Sequence, residues 1–88
     1  MDNQPRIEKM RQLLENSLSP SYLEIIDDSH LHAGHAGAKS GKGHFTVIIT
    51  SPAFSGMRVL KQHQAVYQAL GDMMETDIHA LIIKSSSD

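Results

Sequence analysis

The chain has 88 residues, a formal net charge of −2 at pH 7 and no cysteine. This length suits one small domain over residues 1–88, the lack of cysteine excludes disulfides and thiolate ligands from this chain, and the charge argues against a purely electrostatic nucleic-acid binder. The N-terminus has no apolar signal core and no window approaches a membrane span, so we expect a soluble cytoplasmic protein.

The first predicted element is a helix that begins at Asn3 and ends before Pro20. Asn3 is a suitable N-cap, and Pro20 lacks an amide hydrogen and disfavours helix in the residue before it. The apolar residues recur at the spacing of a one-sided amphipathic helix, as in Ile7, Met10 and Leu14.

Two strands are predicted next, "SYLEIID" over 21–27 and the more β-branched "HFTVIIT" over 44–50. Residues 28–43 between them are rich in glycine and histidine and form a long connection for so small a domain. Such a segment is either a solvated flexible loop or a ligand arm, and loops of this length are more often functional or disordered than merely connecting.

A break at Pro52 and Gly56 precedes the longest periodic segment, a predicted helix over about 58–75. Its apolar stripe is spaced 3, 4, 3 and 4 residues apart: Leu60, His63, Tyr67, Leu70 and Met74. The chain then ends with the strand "IHALIIK" over 78–84 and a disordered tail over 85–88. This strand is apolar on both faces apart from His79, which predicts a covered rather than an edge position.

The element order α-β-β-α-β predicts an α+β fold with a three-stranded mixed sheet. We expect an antiparallel pair between the first two strands, a parallel pair between the last two because β-α-β crossovers are right-handed and parallel, and both helices on one face. The start of the third strand, with His79, then lies beside the end of the 28–43 loop. The residues expected to be buried are Ile7, Met10, Leu14, Phe45, Val47, Leu60, Tyr67, Leu70 and Ile82.

Histidines are the residues of this chain that are best suited to bind a metal. Neutral imidazole binds zinc, iron and copper, although the spacing of His30, His32 and His35 alone does not match an ordinary zinc site. Because the topology brings His79 to the same corner, we expect a site that uses one loop histidine and His79, completed by a partner. His63 is interpreted as a hydrogen-bonded core residue, and His44 as an ordinary half-exposed strand residue.

No sequence feature indicates an enzyme. The serines have no nucleophile-elbow context, and "GKG" falls far short of a phosphate-binding loop. Residues 29–71 contain no Asp or Glu but include four bases: Lys39, Lys42, Arg58 and Lys61. This pattern indicates either a surface for an anionic partner or a chance clustering of the eight bases of the chain.

Several spaced motifs resemble the BolA-like family. They are His44-Phe45 before a β-branched strand, F-x-G at 54–56, H-x-x-V-Y-x-x-L at 63–70, and I-H-A-L at 78–81. The resemblance covers nearly the whole chain, including "DDSHLHAGHAG" over 27–37, and implies a KH-like fold, which agrees with the predicted element order.

The resemblance also implies a function, that of an iron–sulfur adaptor in cluster assembly, trafficking or iron sensing. In this family a monothiol glutaredoxin and glutathione share a bridging 2Fe–2S cluster with the BolA-like protein, which supplies the histidine of H-A-L and a histidine or cysteine of the loop. Carried over, these ligands are His79 and His32, with His35 as the alternative. The free protein is expected to be a monomer or a weak homodimer.

The alternative that the family implies is a KH-like DNA-binding regulator of transcription in stress response and cell morphology. This sequence departs from that pattern, because Gln62 and Gln64 replace the arginines that commonly flank the helix histidine, His63. The GxxG loop with which KH domains clamp nucleic-acid backbone is missing as well.

Overall fold

A computed structural model describes residues 3–29 and 43–87. The elements within these ranges are, in chain order, helix α1 (Gln4–Leu18), strands β1 (Tyr22–Asp27) and β2 (Gly43–Thr50), a 3-10 turn (Pro52–Phe54), helices α2 (Val59–Leu70) and α3 (Met73–Thr76), and strand β3 (Ile78–Ser86). The expected order is confirmed, except that the segment expected as one helix over 58–75 is two helices separated at Gly71.

The three strands form one sheet in the order β1-β2-β3. β1 pairs with β2 antiparallel and β2 pairs with β3 parallel, which confirms the predicted mixed topology. β3 is therefore an edge strand, and the expectation that it is covered is wrong: Ile82, in its middle, is 55 % exposed. The strand also continues to Ser86, so the disordered tail expected over 85–88 is wrong for residues 85 and 86.

The helices cover one face of the sheet. Alternate residues of a strand point to opposite faces, and on the central strand Phe45, Val47 and Ile49 point to the helices and are at most 1 % exposed. Met10 and Leu14 of α1 pack in the same core. The complete set of buried apolar residues is Met10, Leu14, Phe45, Val47, Ile49, Phe54, Val66, Leu70, Met73 and Ile78.

Three of the residues expected in the core are exposed, namely Leu60, Tyr67 and Ile82, and Ile7 is only partly buried. The buried positions of α2 are instead Gln62, Val66 and Leu70. The predicted stripe assumed a single helix, whereas Gly71 has a φ of 55° and ends α2. Gln62, Val66 and Leu70 are spaced four residues apart and form the inward face of α2, and Leu60 and Tyr67 lie outside that face.

Candidate functional site

The starts of β2 and β3 lie side by side at one end of the sheet, because the two strands are parallel neighbours. Gly43 pairs with Ile78 and His44 pairs with Ala80, so the register shifts by one residue between them. Such a bulge leaves one residue without a cross-strand partner, and here that residue is His79. We call residues 43–44 and 78–79 the histidine corner.

Two imidazoles lie next to each other at this corner. The ring centroids of His44 and His79 are 5.1 Å apart and their planes are inclined by 47°. His79 is exposed. His44 is only 6 % exposed, so the interpretation of His44 as half-exposed is wrong. It sits on the central strand and projects from the face opposite Phe45, with the ring of His79 beside it.

A network of polar side chains ties α1 to the strand ends beneath the corner. The Asn3 side chain does not cap α1; its Nδ2 donates to Oδ2 of Asp27 at 2.9 Å and to Oγ of Ser29 at 3.3 Å. Arg6 donates through Nη1 to Oδ1 of Asn3 at 2.9 Å and through Nε to Oδ2 of Asp77 at 3.3 Å. One helix therefore holds the end of β1 and the residue before β3 together.

Asp77 has a further role at the corner. The Thr76 hydroxyl, and after it the Arg6 guanidinium, lower the pKa of Asp77 from its ordinary value of 3.8. The Asp77 backbone carbonyl accepts a hydrogen bond from the amide of Gly43 at 2.9 Å. Asp77 thus joins the start of β2 to the segment that leads into β3.

Both ends of the segment over 30–42 are anchored beside the histidines. The Ser29 hydroxyl accepts the amide of His44 at 3.0 Å, and the Asp28 amide donates to the carbonyl of His44 at 2.8 Å. Residue 29 on one side and residue 43 on the other are therefore fixed at the histidine corner. Four of the predicted site residues lie outside the described residues: His32, His35, Lys39 and Lys42.

Within residues 3–29 and 43–87, no set of three or more histidine or acidic side chains is arranged to hold a metal ion. The histidine corner supplies two imidazoles there, so an ion bound to them would need further ligands from water, from a partner or from the rest of the chain. Histidine ligands suit zinc, copper and iron rather than magnesium or calcium.

The two described bases of the predicted anion-binding surface lie at the start of α2. Arg58 precedes the helix, Lys61 lies in its first turn, and both are exposed. Gln62, in contrast, is buried: its Nε2 donates to the carbonyl of Met57 at 3.0 Å and its Oε1 accepts from the Ser85 hydroxyl at 2.7 Å. An arginine at position 62 would therefore meet the core side of α2.

His63 and Gln64 on α2 differ in exposure. His63 is half-buried and Gln64 is exposed, so of the two glutamines that flank His63 only Gln64 lies at the surface. In the part of the chain that the structure describes, the His63 side chain makes no hydrogen bond, and it is only half-buried. The interpretation of His63 as a buried, hydrogen-bonded core residue is therefore wrong.

No helix among the described residues is both long enough and apolar enough to cross a membrane.

Comparisons of the sequence and of the structure with known proteins both find BolA proteins. A family model described as "BolA-like protein" matches residues 14–88. Among solved structures, the BolA domain of SufE1 from Arabidopsis thaliana superposes with a TM-score of 0.82 at 38 % sequence identity, covering 93 % of this chain and 91 % of that one. The mixed sheet with its helices on one face is therefore the architecture of BolA domains.

Two curated relatives carry different names. The chain is 42 % identical over 85 residues to "Protein BOLA1, chloroplastic" of Arabidopsis thaliana, covering 93 % of this chain but only 53 % of that protein. It is 34 % identical over 76 residues to "DNA-binding transcriptional regulator BolA" of Escherichia coli strain K12, covering 86 % of this chain and 70 % of the relative. This chain thus spans about half the length of the plant relative.

Proposed function

Since this chain belongs to the BolA-like protein family, we propose that it is a cytoplasmic iron–sulfur adaptor rather than an enzyme. In this proposal it binds a monothiol glutaredoxin and contributes two histidines to a 2Fe–2S cluster that the glutaredoxin and glutathione hold from the other side. The observation that carries the proposal is the exposed His79 at the corner where Ser29 and Gly43, which flank the segment over 30–42, are held by hydrogen bonds.

The donor chemistry of this corner fits such a cluster. Imidazole can replace cysteine thiolate on one iron of a 2Fe–2S centre, and because it is neutral the replacement raises the reduction potential. His32 follows the anchored Ser29 by three residues, so the chain keeps it within about 10 Å of Ser29. His35, six residues from Ser29, stays within about 20 Å, and it remains the alternative second ligand.

The absence of cysteine supports the division of ligands in this proposal. A chain without thiolates cannot hold a 2Fe–2S cluster in the all-cysteine manner, so the glutaredoxin and glutathione supply the sulfur ligands. A cluster shared in this way is cargo that passes between proteins, and the chain contributes recognition and neutral ligands.

The test is co-expression with a monothiol glutaredoxin, anaerobic purification of the pair, and comparison of its visible and EPR spectra with those of the glutaredoxin homodimer. We expect His79→Ala to abolish the distinct heterodimer spectrum and His32→Ala to weaken or alter it. The matched control is His63→Ala on α2, which should keep the wild-type spectrum. Identical spectra for wild-type and His79→Ala pairs would exclude His79 as a ligand.

A second candidate function is DNA binding, which the name of the Escherichia coli relative and the exposed Arg58 and Lys61 favour. Each phosphate neutralised contributes about 0.9 to the slope of log affinity against log salt. If these two bases contact phosphate, replacing both with glutamine should reduce the slope by about 2. Absence of duplex binding by the wild-type chain at low ionic strength would reject this function.

A further inference from the structure

We propose that His44 and His79 together bind one divalent transition-metal ion, such as Zn²⁺, when the chain is free of any partner. This site goes beyond the proposed function, since it requires no glutaredoxin, no glutathione and no cluster. It also uses His44, for which neither the sequence motifs nor the proposed adaptor role provides a function.

The separation of the two rings fits a shared ion. The centroid of an imidazole lies about 1.1 Å behind its ligating nitrogen, so a Zn–N bond of about 2.1 Å puts the ion about 3.2 Å from the centroid. Two such rings at a tetrahedral angle of about 109° then have centroids about 5.2 Å apart. The observed distance between the centroids of His44 and His79 is 5.1 Å.

The backbone holds this pair in place before any ion arrives. The His44 amide is bonded to the Ser29 hydroxyl and its carbonyl to the Asp28 amide, while the bulge in the β2–β3 register sets His79 beside it. Preorganised ligands lose little freedom on binding, which favours affinity. His79 is exposed and His44 is buried, so the ion would enter from the His79 side.

The donor set determines the class of ion. Two neutral imidazoles suit Zn²⁺, Cu²⁺ and Ni²⁺, whereas Mg²⁺ and Ca²⁺ require oxygen ligands. The nearby Asp28 carboxylate is hydrogen-bonded to the hydroxyl of Thr46, and no third described histidine or acid completes the set. Water would fill the remaining positions, as it does at an open zinc site.

The decisive measurement is a Zn²⁺ titration of the ¹⁵N-labelled wild-type free chain, followed by the imidazole nitrogen resonances. We expect the signals of both His44 and His79 to shift together and to saturate at one equivalent. Zinc that leaves either of these two imidazoles unperturbed would overturn the proposal. This readout needs no variant, so it does not depend on whether the buried His44 tolerates replacement.

Calorimetric titration of variants gives the second arm. Because even outer-shell changes cost about 10-fold or more in metal affinity, His44→Gln and His79→Gln should each weaken Zn²⁺ binding by at least that factor, while His63→Gln should not. A variant with His30, His32 and His35 all replaced by glutamine should still show the paired shifts. If that variant loses them, the ion belongs to the loop and the proposal is wrong.

The outcome is separable from that of the adaptor proposal. Zinc binding is measured without any partner, and the cluster spectra are measured with the glutaredoxin present. The His44→Gln variant distinguishes the two proposals. It should weaken zinc binding, whereas the adaptor proposal assigns the second cluster ligand to the loop and does not require His44.

Discussion

Gly43 is the position at which a single added methyl group tests the packing of the histidine corner. A Cβ atom on Gly43 would lie 2.5 Å from Cε2 and 2.6 Å from Cζ of Phe45, far inside the about 3.5–4.0 Å at which carbon atoms attract each other. Phe45 is 1 % exposed, so its ring cannot move into solvent. The Gly43→Ala change must therefore displace the core or the start of β2.

Two opposing effects set how much stability the Gly43→Ala change costs. Overpacking a core costs about 1–3 kcal/mol, whereas alanine in place of glycine at a compatible backbone conformation gains about 0.4–1 kcal/mol. Gly43 has no positive φ, so the gain applies and the net loss should be about 1–2 kcal/mol. For a domain of this size each kcal/mol lowers the Tm by about 4–8 °C.

The assay is urea unfolding followed by circular dichroism, with two comparisons that isolate the contact. The first is Gly56→Ala. A Cβ atom on Gly56 would meet no atom within 4 Å, and the φ of Gly56 is 78°. Its cost of about 1 kcal/mol therefore comes from backbone strain alone. The second is Phe45→Leu, which removes the two ring atoms. In the Phe45→Leu background, Gly43→Ala should lower the free energy of unfolding by less than it does in the wild type. The packing argument would be refuted if Gly43→Ala alone were as stable as the wild type, or if the double-mutant cycle of the two changes showed no coupling.

The other predictions concern the contacts that fix the strand ends. Because the Thr76 hydroxyl and then the Arg6 guanidinium lower the pKa of Asp77, its carboxylate contributes stability above the unfolded-state pKa that is lost as the pH falls through the folded pKa. Asp77→Asn should thus lower the free energy of unfolding at neutral pH by less than about 1 kcal/mol. In urea unfolding at low pH this difference from the wild type should vanish, and a difference that stays the same at low pH would contradict the prediction. Ser51 is fully buried and its hydroxyl donates to the carbonyl of Leu18 at 2.6 Å. Ser51→Ala should cost about 1–3 kcal/mol in thermal unfolding, while the exposed Ser55→Ala should cost almost nothing.

The strand order and the strand directions could be predicted from the sequence, because hydrophobic alternation and the handedness of β-α-β units are local or general constraints. The inward face of α2 could not. Leu60 and Tyr67 share an apolar spacing with Leu70 but are exposed, while Gln62 is buried and bonded to Ser85 on β3. A bond between residues so distant in sequence has no signature in helical periodicity.

The position of His79 followed from topology, but its pairing with His44 did not, because it depends on a one-residue shift between the registers of β2 and β3. Strict alternation places His44 on the face of the sheet opposite Phe45 and predicts partial exposure, whereas the His44 side chain is buried and lies beside the ring of His79. The signal that the sequence does carry is the glycine at position 43, since an isolated glycine in a strand often marks a bulge or a close approach of atoms. At Gly43 the close approach is to the ring of Phe45, and the shift begins at the next residue. The missing side chain thus allows the Phe45 ring to pack directly beside the point at which the register shifts and His44 meets His79.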